Sequence, residues 1–206
     1  MTKTFACIVG IALASASPAA PPLYGQPSDA LAVEAMANFG QCVARFTPTG
    51  ARKVLAMDFR TKEYVQAIDR LASGHGRCAP GSRIGFNGVL FAGALAEAML
   101  EMENRPEALA GRIARHPARP PILARSPMET MALCTVMEAP QAVAGLFATA
   151  PASADEANAI KGLAPTLNAC LAQGQSAEIN RPGLRSVLAL AAWRIASTPI
   201  AQVEKG

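Results

Sequence analysis

Cys42, Ile68-Asp69-Arg70-Leu71-Ala72 and Cys78 recur 92 residues later as Cys134, Ile160-Lys161-Gly162-Leu163-Ala164 and Cys170. Within each set the two cysteines lie 36 residues apart. At the same offset Pro48 falls on Pro140 and Glu63 on Asp155. After one inserted residue, Phe86-Asn87 falls on Ile179-Asn180 and Leu95-Ala96 on Leu188-Ala189. The residues that coincide are of the kinds that staple, turn, pack and cap. The pattern reads as a duplicated helical unit with one cysteine pair per copy.

Hydrophobic residues make up 51% of the 206, and aromatics only 5%, so Ala, Leu, Val, Ile and Met must fill the core. Small side chains at that density favour closely packed helices over sheets. Strand-like alternation of useful length is missing. The expected fold is all-α: two tandem, pseudo-symmetric units of about four helices each, one disulfide per unit. Short extended pieces at 83–86 and 177–179 are placed to meet across the pseudo-twofold axis as a tiny two-stranded ribbon.

The first residues read as a targeting segment. Lys3 supplies a positive start, residues 5–14 form a short apolar run, and Ala14-Ser15-Ala16 is a small-residue cleavage site. Residues 1–16 are therefore expected to be a secretory signal peptide, cut after Ala16 or after Ala19, and 17–27, with four prolines, a flexible leader. No later stretch reaches the ~18 uninterrupted apolar residues of a membrane-spanning helix, so no transmembrane span is expected in the mature chain. Cleavage removes Cys7 and leaves four cysteines, an even number in an exported chain, which is the pattern of a disulfide framework. Of the three possible connectivities, the repeat favours Cys42–Cys78 with Cys134–Cys170, each copy stapled within itself. A four-thiolate zinc site or a thioredoxin-like redox site would bring C-x-x-C pairs, and the sequence has none. Closing each loop stabilises its unit by roughly 3–4 kcal/mol in the chain-entropy model. The expected location is periplasmic or secreted.

Helix signals fill in both copies. Ser28 or Asp29 can cap a helix carrying Leu31, Met36, Phe39 and Val43 to about Arg45, and Thr47-Pro48 opens a short one with Val54 and Leu55. A third runs from about Thr61 to the glycine-rich stop Gly74-His75-Gly76, and Asn87 caps a strongly apolar fourth over 89–102. The second copy starts with the capping box Ser126-Pro127-Met128-Glu129 and restarts at Ala139-Pro140. A second box, Ser153-Ala154-Asp155-Glu156, opens the helix leading to Cys170, and Asn180 caps the last one, to about Ala196. Pro165 is expected to kink or break the helix before Cys170. The two apolar final helices are expected to be buried where the copies meet. These signals place repeat 1 at 28–103, a basic connector at 104–125, repeat 2 at 126–198 and a tail at 199–206.

The net positive charge sits almost wholly in the connector, where Arg105, Arg112, Arg115, Arg119 and Arg125 face Glu107 alone. A short helix over 106–115 and an extended piece over 116–121 are expected there. Such a patch can meet an anionic partner, an envelope component or an acidic protein surface. The plainer expectation, which the sequence favours, is a linker whose arginines are solvated or cap helix ends, so that replacing all five would barely alter stability. Nucleic acid is not expected, since the patch has no stacking aromatics.

Chemistry is sparsely signalled. His75 between two glycines and His116 in the connector share no metal-ligand or catalytic spacing. Glu97 and Glu101, four apart on one helix face, form a carboxylate pair that could do acid–base work, with a solvated polar face as the favoured alternative. No cofactor motif is present, and neither a cofactor nor a metal is expected.

The stretch Phe39-Gly40-Gln41-Cys42-Val43-Ala44-Arg45, the later Cys78 and the run Leu90-Phe91-Ala92-Gly93-Ala94-Leu95-Ala96-Glu97-Ala98 resemble small exported helical proteins of sphingomonad-type alphaproteobacteria. The resemblance implies a compartment and carries no activity or site residues. The functional expectation is a non-enzymatic binding or envelope-associated role, with the connector or a groove between the copies as contact surface. Its alternatives are an enzyme with its carboxylates at Glu97 and Glu101, or a thiol-redox protein. For the cysteines the expected outcome is specific. Cys42→Ser should lower the denaturation midpoint as much as Cys78→Ser, and the double mutant no further than either; additive losses would exclude the pairing.

Overall fold

A computed structural model of the chain describes residues 27–79, 88–172 and 179–201. Among these, all regular structure is helical. The α-helices are α1 (Pro27–Phe46), α2 (Pro48–Leu55), α3 (Lys62–Ser73), α4 (Gly88–Glu103), α5 (Pro106–Ile113), α6 (Pro127–Glu138), α7 (Pro140–Phe147), α8 (Ala154–Cys170) and α9 (Arg181–Ser197), with a 3-10 turn at Gly76–Cys78 after α3. Cys42–Cys78 and Cys134–Cys170 are both bridged, each with Cα atoms 5.7 Å apart. The first ties the C-terminal half of α1 to the exit of α3, and the second ties α6 to the last residue of α8.

The caps behave largely as local chemistry dictates. Thr61, Ser126, Ser153 and Asn180 each accept a hydrogen bond from the backbone N–H three residues on, at 3.2, 3.1, 3.1 and 2.8 Å, satisfying one free donor at each helix start. Thr47 differs: its hydroxyl makes no cap bond, and Pro48 alone starts α2. The first helix opens at Pro27, so Ser28 and Asp29 fall in its first turn rather than before it. Asn87 and the extended pieces expected to form a ribbon lie outside the described residues, apart from Ile179. Pro165 does not break α8, which continues to Cys170. Proline denies Lys161 its helical hydrogen bond, but Lys161 and Pro165 are both on the exposed face, where water can serve that carbonyl, and the disulfide holds the helix end.

Two apolar helices form the centre, as their sequences require. In α4, Phe91, Leu95, Met99 and Leu100 are buried, and in α9 Leu188, Trp193 and Ile195. They approach closely because small residues face one another. A Cβ built on Gly93 would lie 2.4 Å from the Ser186 Cα, and one on Gly40 of α1 would lie 2.8 Å from the backbone of Ala94. Both distances are below any real contact, so α1, α4 and α9 stack nearly backbone to backbone. The other helices close the two sides, α2 and α3 beside α1 and α4, α6 to α8 around α9.

The connector is packed rather than free. Ile113 and Leu109 of α5 are buried. The piece over 116–121 begins with a turn, not an extended strand, since the Arg119 N–H donates to the His116 carbonyl at 3.1 Å. Two of the connector's arginines, Arg112 and Arg119, work as helix caps. Arg112 reaches the Ala196 carbonyl at the end of α9 at 2.8 Å, and Arg119 reaches those of Ala114 and Arg112 at the end of α5, at 2.6 and 2.7 Å. Arg125 donates to the Met57 carbonyl at 2.9 Å, and Arg115 pairs with Glu138. Guanidinium groups at these C-terminal carbonyls meet the negative end of the helix dipole. Replacing all five would remove the caps at the ends of α5 and α9, so a measurable loss in melting temperature is expected in place of a negligible one.

Gly93→Ala should lower the unfolding free energy from urea denaturation by about 1–3 kcal/mol, because the new methyl meets backbone that cannot move aside. Gly145→Ala in α7, where nothing lies within 4 Å, should instead raise it by ~0.5–1 kcal/mol through helix propensity. Equal effects at the two sites would contradict the close crossing.

Candidate functional site

Two concave regions stand out, on different flanks of the α4–α9 pair. The first is a cleft of about 400 Å³ between α1, α4, the α7–α8 turn and α9. Glu97 lies in it one turn beyond Gly93, and Arg185 lies beside Ser186, so the close crossing itself brings acid and base together. Arg185 donates from Nε and Nη2 to the two oxygens of Glu97 at 2.8 and 2.5 Å, and from Nη1 to Glu156 at 3.1 Å and to the Thr149 hydroxyl at 3.1 Å. Its Nη2 also reaches the Thr149 carbonyl at 2.9 Å. The Arg185 side chain is 6% exposed, Glu156 1% and Glu97 14%. Every N–H of this guanidinium is consumed by the protein, which is what a buried charge requires.

Glu97 is thus neither solvated nor free, contrary to the favoured sequence expectation of a polar outer face. Burial pushes its carboxyl above the ordinary value, against the pull of Arg185, and the charges of Glu101 and Glu156 add to the upward shift. Glu101, one turn further along, is exposed and meets only the Gln41 amide at 3.5 Å. The pair is therefore split between a saturated buried ion pair and a surface carboxylate.

The second region is a chamber of about 550 Å³ between α2–α3, the start of α4, the start of α6 and α9. Its walls are mainly apolar, with Leu55, Ile68, Met128, Val187 and Leu190 among them, while Phe59, Val65 and Val89 are exposed along it. Charged side chains also line it, and those of α6 and α9 pair with each other. Arg194 of α9 pairs with Glu129 and donates to the Leu123 carbonyl at 3.2 Å. The other Glu129 oxygen accepts the Arg125 N–H at 2.6 Å.

Both capping-box glutamates have the same double use. Glu129 and Glu156 each accept the N–H of the residue before the N-cap, Arg125 and Ala152, and each also binds an arginine of α9. Ala152 has a φ of 62°, a left-handed conformation unusual for a residue with a Cβ, and the Glu156 hydrogen bond at 3.0 Å sits on it. Sequence reading found the boxes but not their arginine partners. Two arginines inside an otherwise apolar helix were the available signal.

The remaining residues singled out in the sequence are dispersed. His75 uses Nδ1 to hydrogen-bond the Leu71 carbonyl at the end of α3, at 2.7 Å, and the His116 ring accepts the Ala118 N–H at 3.2 Å. Among the described residues no group of three His, Cys, Asp or Glu is placed to hold a metal, and no single helix is long and apolar enough to cross a membrane. No protein-family model matches the chain, and neither a curated protein nor a solved structure is significantly similar to it.

Arg185→Met should cost about 3–5 kcal/mol at neutral pH, because it strands two buried carboxylates. Glu97 sets a pH dependence of opposite sense to the usual carboxylate. With its folded pKa above the unfolded value of about 4.3, its contribution is full below that value and is lost as pH rises through the folded one. Urea midpoints of wild type relative to Glu97→Gln should therefore shift in favour of the glutamine variant from pH 4 to 7; a shift the other way would place the folded pKa below the unfolded one.

Proposed function

We propose that the protein acts outside the cytoplasm as a non-enzymatic binding protein for small apolar molecules, with the chamber between α2–α3 and α9 as its site. The observation that carries this reading is the chamber itself: about 550 Å³, mainly apolar walls, both halves of the chain contributing, and exposed Phe59, Val65 and Val89 along it. A concavity of this size with apolar walls and a few polar groups is the usual form of a small-molecule site. Two disulfides support the location, since such bonds form and persist in oxidising compartments, and the reading of residues 1–16 as a signal peptide agrees with it. The same reading takes the halves as copies of one unit, which the repeated order of helices and the equal disulfide spans support.

The carboxylate-enzyme alternative has the raised Glu97 carboxyl in its favour. Against it, both Glu97 oxygens are held by Arg185, and the pair leaves only Glu101 to act on a substrate. An envelope contact through the connector is supported less, because the Arg112, Arg115, Arg119 and Arg125 side chains already bind carbonyls or Glu138 of the protein itself.

Titration with the uncharged fluorophore N-phenyl-1-naphthylamine should give saturable one-to-one binding. Val65→Glu, which places a charge in the exposed lining of the chamber, should weaken it about tenfold or more, equivalent to ~1.4 kcal/mol, without lowering the melting temperature. Glu97→Gln, in the other cleft, should leave it unchanged. Absence of binding to the wild type would reject the reading.

A further inference from the structure

We infer that the chamber's ligand is an uncharged molecule with an apolar body and one hydrogen-bond-accepting oxygen, and that the Tyr64 hydroxyl donates to that oxygen. The inference rests on the binding reading above and adds the ligand's chemistry.

The charges of the lining decide the first part. Arg194 is committed to Glu129 and the Leu123 carbonyl, and Arg125 to the Met57 carbonyl with the Asp58 carboxylate 4.0 Å away. Both oxygens of Glu129 are occupied, by Arg194 and by the Arg125 N–H. Each cation of the described lining, Arg125 and Arg194, is thus already held by an acid or a carbonyl of the protein, and Asp69, the other acid of the lining, is exposed to water on α3. A charged ligand would have to lose its hydration against an apolar wall or break an existing pair, and either cost is large. An uncharged ligand meets neither cost.

Tyr64 decides the second part. Its backbone N–H is used by the Thr61 cap at 3.2 Å, and its ring packs against the core. Tyr64 is part-buried and lines the chamber, and among the described residues its hydroxyl has no hydrogen-bond partner. The other uncharged hydroxyl of the lining, on Ser126, is occupied as acceptor in the α6 cap. Of the two uncharged hydroxyls in the described lining, Ser126 is held in place by its cap, whereas Tyr64 is the one with no hydrogen bond to the protein. Burial pushes its ionisation up, so it remains a neutral donor at physiological pH.

The test displaces N-phenyl-1-naphthylamine with three ligands of similar shape: 2-acetylnaphthalene, 2-ethylnaphthalene and 2-naphthoate. For the wild type, the acetyl compound should bind ~3- to 10-fold tighter than the ethyl compound, the effect of one net hydrogen bond, and naphthoate should be the weakest. Tyr64→Phe should erase the acetyl preference while leaving affinity for the ethyl compound and the melting temperature unchanged. A preference that survives Tyr64→Phe, or naphthoate binding as well as the ketone, would overturn the inference while leaving the chamber a binding site. Failure of the fluorophore itself to bind would overturn both. The wild-type ranking of the three ligands tests the charge argument independently of any variant.

Discussion

Gly93 of α4 and Ser186 of α9 meet with almost no side chain between them, and the rest of the architecture follows from that contact. Two helices this apolar must bury most of their circumference, and only small residues let their backbones approach so closely. Gly40 against Ala94 repeats the device on the other side of α4 and brings in α1. With three helices stacked at short range, the remaining ones can only clothe the flanks. The disulfides then hold that clothing in place, one on each flank.

The same crossing explains where charge is tolerated. Arg185 immediately precedes the contact residue Ser186 in α9, and Glu97 lies one turn beyond Gly93 in α4, so their meeting is set by helix geometry. A buried ion pair contributes little net stability over an apolar replacement, but removing one member is costly. Here it fixes the rotation of α9 against α4 and, through Glu156 and Thr149, the position of the α7–α8 turn. Arg194, nine residues further along α9, does the equivalent with Glu129 at the start of α6. The chamber keeps its neutral, apolar character because these charges are satisfied by one another.

Much of the architecture was legible in local chemistry. Cap residues at Thr61, Ser126, Ser153 and Asn180 act within four residues of chain, so their reading carried straight into the fold. The site was less legible. Glu97 reads as a surface residue by its spacing with Glu101, and the connector arginines read as either solvated or capping helix ends, with no helix end named. The first reading fails and the second stays open in the sequence because the partners are distant: Arg185 is 88 residues from Glu97, and Ala196 is 84 from Arg112. The break expected at Pro165 does not occur, for a related reason. The cost of a proline depends on which face of the helix it occupies, and exposure is a property of the packed molecule.

The sequence by itself determined the all-helical class, several of the helix starts and the pairing of the cysteines, because capping, periodicity and the equal cysteine spacings are encoded over short or regular intervals. Only the tertiary structure decided which charges are buried, that the connector caps helices, and that an apolar chamber with Tyr64 in its wall lies between the two halves. Those features arise from the angle and closeness at which α4 and α9 cross. That geometry is set by the summed packing of residues far apart in the chain, and no local stretch records it.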